Sequence, residues 1–162
     1  MLNQTDYEKL SGKAINLVAK KRYTEGEIRK KLLGYLKKLP EIGAEEVEKV
    51  IERLKELRYL DDELFVKDYI SDRIRFKPRG IYLIKRELKQ KGLSEALIER
   101  AMSEDPVDEG EAAHRALEKK MRSWQKDSLE KQRQKAYQFL ASKGFNLDTI
   151  YKTLESCYDR ST

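Results

Sequence analysis

Apolar residues along this chain recur at intervals of three and four, the spacing of one buried face on an amphipathic helix. The first such group is Leu10, Ala14, Leu17 and Val18, and breaks containing Gly, Pro or paired polar residues separate it from eight further groups of the same kind. The sequence therefore predicts an all-α chain of nine helices.

Cap residues mark the expected starts of several helices. Two segments have the form of capping boxes, Thr5-Asp6-Tyr7-Glu8 and Thr24-Glu25-Gly26-Glu27. In a capping box, the side chains of the first and last residues each accept a hydrogen bond from a backbone amide. Asp127-Ser128-Leu129-Glu130 has the same form, with Asp127 in the cap position. Further caps are predicted at Asp61-Asp62, Ser94 and Asn146.

A repeat becomes visible when the helices are taken in groups of three. Its anchors are Ile42, Leu93 and Phe145, spaced 51 and 52 residues apart, and Val47, Ile98 and Ile150 follow them five residues later. We also align Ala14, Phe65 and Leu117, and expect Phe65 to be a core residue whose replacement by Ala costs about 3 to 5 kcal/mol. Units of this size stack because one alone buries little core. We predict three tandem three-helix repeats, 5–60, 61–105 and 106–162, forming an elongated, curved helical array.

Composition fits that arrangement. Charged residues make up 40% of the chain and hydrophobic residues 39%, as expected of helices with wide polar faces and narrow apolar stripes. The one cysteine excludes an internal disulfide, and the sequence has neither a membrane-length apolar run nor a secretory signal. We therefore expect a cytoplasmic monomer that does not contact membranes.

The sequence lacks the groupings of residues that catalysis or metal binding requires. It contains one His and one Cys, no Gly-rich phosphate loop and no cluster of zinc ligands. His114 and Cys157 are expected to be structural residues, and Asp61-Asp62 is explained by helix capping rather than by a metal. We expect no enzymatic activity, no cofactor and no metal.

Basic residues are concentrated in two stretches. The first and more strongly basic stretch, residues 73–91, contains eight cations and a single carboxylate, that of Glu87. Phe76 and Tyr82 are interleaved with the cations, and this composition suits contact with a phosphate backbone or an acidic protein groove. Its candidate binding residues are Arg73, Arg75, Lys77, Arg79, Lys85, Arg86, Lys89 and Lys91. A secondary basic face comprises Lys20, Lys21, Arg22, Arg29, Lys30 and Lys31.

The sequence resembles the bacterial regulatory protein family RecX over nearly its full length. The most specific residues that carry the resemblance are Leu57-Arg58-Tyr59-Leu60-Asp61-Asp62, Phe65, Tyr69, Gly80, Ile84, Glu87-Leu88 and Lys91-Gly92-Leu93. The family is also resembled by Ala14, Leu17, Lys21-Arg22-Tyr23-Thr24, Glu27-Ile28, Lys31-Leu32 and the stretch from Lys135 to Phe145. The resemblance implies a modular α-helical protein that binds the RecA filament on single-stranded DNA and limits its ATPase, strand-exchange and coprotease activities. It implies no catalytic residues. Ser142-Lys143 stands where the family often has two arginines.

A second function is compatible with the same charge pattern. A general DNA-binding or nucleoid-associated helical protein would use the basic face on phosphates without RecA. Three-helix units also occur in helix-turn-helix proteins, so the repeat alone does not choose between a protein partner and DNA. Direct contact with DNA is therefore kept as an alternative.

Overall fold

The computed structural model describes residues 4–159, and in this part of the chain it contains nine α-helices, two short 3₁₀ helices and no strand. The all-α prediction is confirmed. Within the same residues, no helix combines the length and the apolar character needed to cross a membrane. The helices are Gln4–Val18 (α1), Glu25–Tyr35 (α2), Ala44–Glu56 (α3), Asp62–Arg75 (α4), Ile81–Gln90 (α5), Glu95–Glu104 (α6), Glu109–Met121 (α7), Leu129–Ser142 (α8) and Leu147–Tyr158 (α9).

Backbone contacts divide the described chain into two compact units. The first contains the chain up to Val66 together with Lys89–Leu97, and the second contains Lys67–Leu88 and the chain from Ile98 onward. Every contact described below lies within one of these units. The repeat boundaries at 60/61 and 105/106, and the elongated and curved shape, stay predictions.

The repeat anchors lie in the cores of these units. Ile42, Leu93 and Phe145 are all buried, as are the residues five positions after each of them. A cluster in the first unit surrounds Leu10, Ile28 and Ile51, and a second cluster surrounds Leu117 and Ile150. The apolar spacing therefore identified the buried face of the helices around each anchor.

The expectation that Phe65 is a core residue, like Ala14 and Leu117, is wrong. Ala14 and Leu117 are fully buried, whereas Phe65 is only half-buried and the adjacent Val66 has no exposed surface. Val66 and Ile70 form the buried face of α4. Because Phe65 keeps contact with solvent, the large cavity cost expected for Phe65→Ala does not apply to it.

Several predicted caps are confirmed and others are displaced. Thr24 forms the complete capping box of α2, with Glu27 N 3.1 Å from Thr24 Oγ1 and Thr24 N 3.1 Å from Glu27 Oε2. The caps Ser94 and Asn146 are also present. Thr5 lies inside α1, and the cap of α8 is Ser128 instead of Asp127, whose carboxylate binds Lys135 and Lys131.

Two joints between elements of neighbouring predicted repeats share one design. In each joint, the start of the second helix of one predicted repeat contacts a turn of the next predicted repeat. That turn directly follows the second helix of the next repeat. These turns contain Gly92 and Gly144, whose φ angles of +83° and +79° are in the left-handed region that favours glycine. Glu41 occupies the corresponding position before the anchor of the first repeat.

The first joint lies in the first unit. A Cβ added to Gly26 would be 3.0 Å from Gly92 Cα, so the two backbones are in direct contact. The hydroxyl of Thr24 donates a hydrogen bond to the carbonyl of Lys91, and Lys91 Nζ lies 2.9 Å from Glu27 Oε1. Asp62 adds a further hydrogen bond to this joint. Its Oδ1 accepts it from the amide of Glu25, the first residue of α2, at 3.0 Å.

The second joint lies in the second unit and repeats these features. The amide of Gly80 donates to the carbonyl of Lys143 at 2.8 Å, and a Cβ on Gly80 would overlap the backbone of Gly144. Glu109 has the same role in this joint as Asp62 has in the first. Its Oε1 accepts a hydrogen bond from the amide of Ile81, the first residue of α5, at 2.9 Å. The other carboxylate oxygen of Glu109 accepts hydrogen bonds from Asn146 and from Thr149. A buried carboxylate thus caps a helix of the preceding predicted repeat.

Replacing Gly80 by Ala should destabilise the protein by about 2 to 3 kcal/mol, because the new methyl group meets rigid backbone rather than a flexible side chain. Gly12→Ala is the matched control: Gly12 lies in α1 with open space around it, so the same change should stabilise the protein by about 0.5 to 1 kcal/mol. Urea unfolding of both variants measures the difference. A Gly80→Ala variant as stable as the wild type would contradict the second joint.

Substitutions at Asp62 separate its hydrogen bond from its charge. Burial raises the pKa of the Asp62 carboxyl, although the amide of Glu25 opposes that shift by stabilising the anion. Asp62→Asn keeps an oxygen acceptor, and its free energy of unfolding at pH 7 should equal or exceed that of the wild type. Asp62→Ala loses the acceptor and should be about 1 kcal/mol less stable.

The raised pKa of Asp62 also predicts how the difference in stability between Asp62→Asn and the wild type depends on pH. A raised folded-state pKa means that Asp62 contributes stability below its unfolded pKa of about 3.9, and that this contribution is lost as pH rises through the folded pKa. The stability of Asp62→Asn relative to the wild type should therefore increase with pH across that window and stay constant above it. Denaturation at a series of pH values measures this difference, and a decrease with rising pH would show that the folded-state pKa is lowered instead.

Candidate interaction surface

The first basic stretch begins at the end of α4, passes through the connection 76–80 and continues along α5. Its cations fall into three groups: those bound to Glu87, those paired with more distant carboxylates and those with no ion pair. This division, rather than the total charge, decides which side chains are available to a partner.

Glu87 is the centre of the first group. Arg73 Nε lies 2.9 Å from Glu87 Oε2, Arg79 binds Oε1, and the Tyr69 hydroxyl donates to Oε2 at 2.5 Å. The Arg73 guanidinium also lies 4.5 Å from the centre of the Tyr69 ring. Because Glu87 is mostly buried, with 18% of its side chain exposed, we assign Arg73 and Arg79 mainly to holding the α4–α5 connection.

Three lysines of the stretch are paired with carboxylates elsewhere in the sequence. Their partners are Glu99 at 2.5 Å for Lys85, Glu95 at 2.7 Å for Lys89 and Glu27 at 2.9 Å for Lys91. Exposed ion pairs of this kind add little stability, yet they reduce the positive charge presented to a partner. The Lys91 pair belongs to the first joint and is the least exposed of the three.

The remaining cations are Arg75, Lys77 and Arg86, all exposed and without an ion-pair partner among residues 4–159. Two aromatic side chains accompany them: Phe76 and Tyr82 are each 69% exposed. Tyr82 and Arg86 are four residues apart on α5 and share one face, while residues 75–77 end α4 and begin the connection. We call these five residues the hairpin surface.

A cleft of about 220 Å³ lies beside the hairpin surface. Arg75 forms part of its wall, Ile74 and Val107 provide apolar surface, and Asp105 and Asp108 provide carboxylates. Asp108 also caps α7 through the amide of Glu111, at 3.0 Å. The cleft offers a recess for an apolar side chain next to a guanidinium.

The secondary basic face is partly neutralised. Arg29 binds Glu48 through two hydrogen bonds of 2.6 and 3.0 Å, which raise the pKa of the guanidinium. Lys21 and Lys31 lie 4.5 and 5.7 Å from the centre of the Tyr23 ring. Lys20, Arg22 and Lys30 are exposed. The binding role of either basic stretch stays a prediction.

The structure brings the single His and the single Cys together, which their separation in the sequence did not indicate. Cys157 Sγ lies 3.5 Å from His114 Nδ1, on α9 and α7 respectively. Residues 4–159 contain no group of three His, Cys, Asp or Glu side chains that could hold a metal ion. Asp61 caps α4 by accepting the amide of Leu64 at 3.0 Å, but Asp62 caps α2 and not its own helix, which corrects the prediction for Asp62.

Comparison with known proteins identifies two three-helix domains in this chain. A family model described as "RecX, second three-helix domain" matches residues 61–102, and one described as "RecX, third three-helix domain" matches residues 108–154. The regulatory protein RecX of Prosthecochloris aestuarii is 34% identical over 154 residues, which cover 95% of this chain and 97% of that protein. The regulatory protein RecX of Clostridium perfringens strain SM101 is 35% identical over 153 residues, covering 91% and 68%.

Solved structures agree on the fold. The crystal structure of RecX from Lactobacillus salivarius superposes with a TM-score of 0.75 at 23% identity, covering 94% of this chain and 96% of that one. A second crystal structure, of regulatory protein RecX, has a TM-score of 0.72, also at 23% identity. At this identity the likeness concerns the arrangement of helices.

Proposed function

Since the chain belongs to the RecX family of regulatory proteins, we propose that it binds the RecA recombinase filament on single-stranded DNA and restrains its activity. The observation that supports a binding role most directly is the hairpin surface, where three cations without ion-pair partners adjoin two exposed aromatic rings. Restraint here means inhibition of ATP hydrolysis, strand exchange and coprotease activity. The proposed site of action is the bacterial cytoplasm, with the protein as a monomer.

The hairpin surface has the composition of a protein-binding surface. Aromatic side chains and arginine are enriched among the residues that contribute most to binding energy at protein interfaces. Phe76 and Tyr82 meet this description, and Arg75 borders a cleft that can receive an apolar side chain. Cations around such anchors accelerate association with an acidic partner.

A partner with helical symmetry would give a reason for several contact points. Along a helical filament, neighbouring subunits present the same groove repeatedly, and a protein of tandem helical repeats can contact more than one of them. When two contact sites belong to one chain, binding of the first raises the effective concentration of the second near its own binding site. A bound protein would then oppose both subunit rearrangement and filament growth, with no need for a catalytic residue.

General DNA binding is the second candidate, and the same residues favour it. Arg75, Lys77 and Arg86 suit phosphates, and exposed rings such as those of Phe76 and Tyr82 can stack on unpaired bases. Binding to bare DNA would weaken steeply with salt, whereas recognition of the filament would need RecA and retain a salt-resistant part. The two candidates therefore differ in a measurable way.

Charge reversal of the hairpin surface should weaken binding to the filament by at least tenfold. The variant carries Arg75→Glu, Lys77→Glu and Arg86→Glu, and binding is measured by co-sedimentation with RecA filaments assembled on single-stranded DNA. Each reversal replaces attraction to an acidic partner with repulsion, while the unpaired positions leave the ion pairs of the fold untouched.

The control variant carries Lys119→Glu, Arg122→Glu and Lys126→Glu, three exposed positions in the second unit that make the same change in net charge. It should bind within about threefold of the wild type. Equal losses in the two variants would point to general electrostatics. Binding of the wild type to bare DNA as tight as to the filament would favour the second candidate.

A further inference from the structure

The end of α3 contains an arginine in an unusual backbone conformation. Arg58 has a φ angle of 60°, and the other residues in the described chain with positive φ are Gly92 and Gly144. The amide of Arg58 donates to the Lys55 carbonyl at 2.9 Å, and that of Tyr59 to the Leu54 carbonyl at 2.8 Å. This is the helix ending in which glycine is favoured, since a Cβ is strained there.

Glycine would form the same backbone hydrogen bonds without strain, so the side chain of Arg58 requires another explanation. It is exposed, and among residues 4–159 its guanidinium has no ion-pair partner. Strained residues of this kind occur preferentially at sites where the side chain serves a function. What surrounds the guanidinium is therefore informative.

Arg58 lies at a small pocket in the first unit. The pocket has a volume of about 60 Å³, and its lining consists of Arg22, Tyr23, Arg58, Tyr59, Asp61, Leu64 and Phe65. Arg58 contributes an exposed guanidinium without an ion pair among residues 4–159, while the carboxylate of Asp61 in the same lining is already hydrogen-bonded to the amide of Leu64. The pocket is thus suited to an anion.

Apolar side chains border the same pocket. Among the residues that line it, Tyr59 is 54% exposed and Leu64 is 46% exposed. A phosphate backbone offers little for them to cover. The side chains of a protein partner can cover them while a carboxylate reaches the guanidinium.

We propose that this pocket binds an aspartate or glutamate side chain of a protein partner, with an adjacent apolar side chain packed on Tyr59 and Leu64. The volume accommodates roughly four to six water-sized groups, which suffices for a carboxyl group and its methylene but not for a nucleobase. The identification of the partner as the RecA filament rests on the proposed function, whereas the chemistry of the pocket does not.

The first test needs no RecA. The full chain, labelled with ¹⁵N, is titrated at roughly 1 to 10 mM with the capped dipeptide acetyl-Leu-Asp-amide and with its asparaginyl counterpart, the range expected for one ion pair and one apolar contact. The aspartyl peptide should shift the amide signals of Tyr59 and Leu64, and the asparaginyl peptide should not. Both peptides acting alike, or neither acting, would overturn the proposal.

The second test uses Arg58→Gly, a variant in which stability and binding should change in opposite directions. Relief of strain should raise the thermal unfolding midpoint by roughly 1 to 3 °C. Affinity for RecA filaments on single-stranded DNA should fall by roughly tenfold or more, as expected on truncating an arginine anchor. The shifts caused by the aspartyl peptide should disappear.

Two further variants separate the possible causes. Arg58→Asn tolerates the left-handed conformation and removes the charge, so it should also lose binding without a loss of stability. Arg53→Gln removes a charge from α3 outside this pocket and should bind within about twofold of the wild type.

The outcomes distinguish this inference from the proposed function. A wild-type chain that responds to the aspartyl peptide but does not bind filaments would retain the pocket and refute the proposed function. Filament binding by Arg58→Gly as tight as by the wild type would overturn the role of the pocket alone. An equal loss of affinity for bare single-stranded DNA would assign Arg58 to a phosphate instead and overturn the protein carboxylate.

Discussion

The close approach of a helix start to a glycine turn is the constraint on which the rest of this structure depends. The first amides of a helix have no partner inside it, and burying them unpaired would be costly. In each joint a carboxylate from the start of the following predicted repeat accepts one of them, Asp62 for Glu25 and Glu109 for Ile81. The acceptors reach these amides only because glycines allow the two backbones to touch. Packing of small helical units is thus coupled to hydrogen bonds that each helix needs.

This design also determines where charge is free to act. The carboxylate of Glu87 and those of Glu27, Glu95 and Glu99 together bind five of the eight cations in the first basic stretch. Of the three that remain, Arg75 and Lys77 adjoin Phe76 in the sequence, and Arg86 shares one face of α5 with Tyr82. Ion pairing therefore reduces the eight candidate cations of this stretch to three. Partner binding is proposed for the hairpin surface, whereas the paired residues contribute to the fold.

Local patterns in the sequence predicted the helices and their buried faces, because helical periodicity and capping operate over three to five residues. They failed where neighbours compete: Phe65 and Val66 are both apolar, and only packing shows that Val66 is the buried one. They also failed for long-range partners, since Asp62 caps a helix 37 residues earlier and Lys91 pairs 64 residues away. The left-handed Arg58 gave no signal, because the sequence there contains no glycine.

The measurement that most directly tests the proposed regulatory function is the single-stranded-DNA-dependent ATPase activity of RecA from the same source, titrated with this protein in the presence of excess DNA. If the protein contacts the filament, inhibition should appear well below one copy per RecA subunit and should survive the excess DNA. Absence of inhibition, or inhibition that excess DNA abolishes, would contradict filament binding and indicate that the basic surface acts on DNA alone.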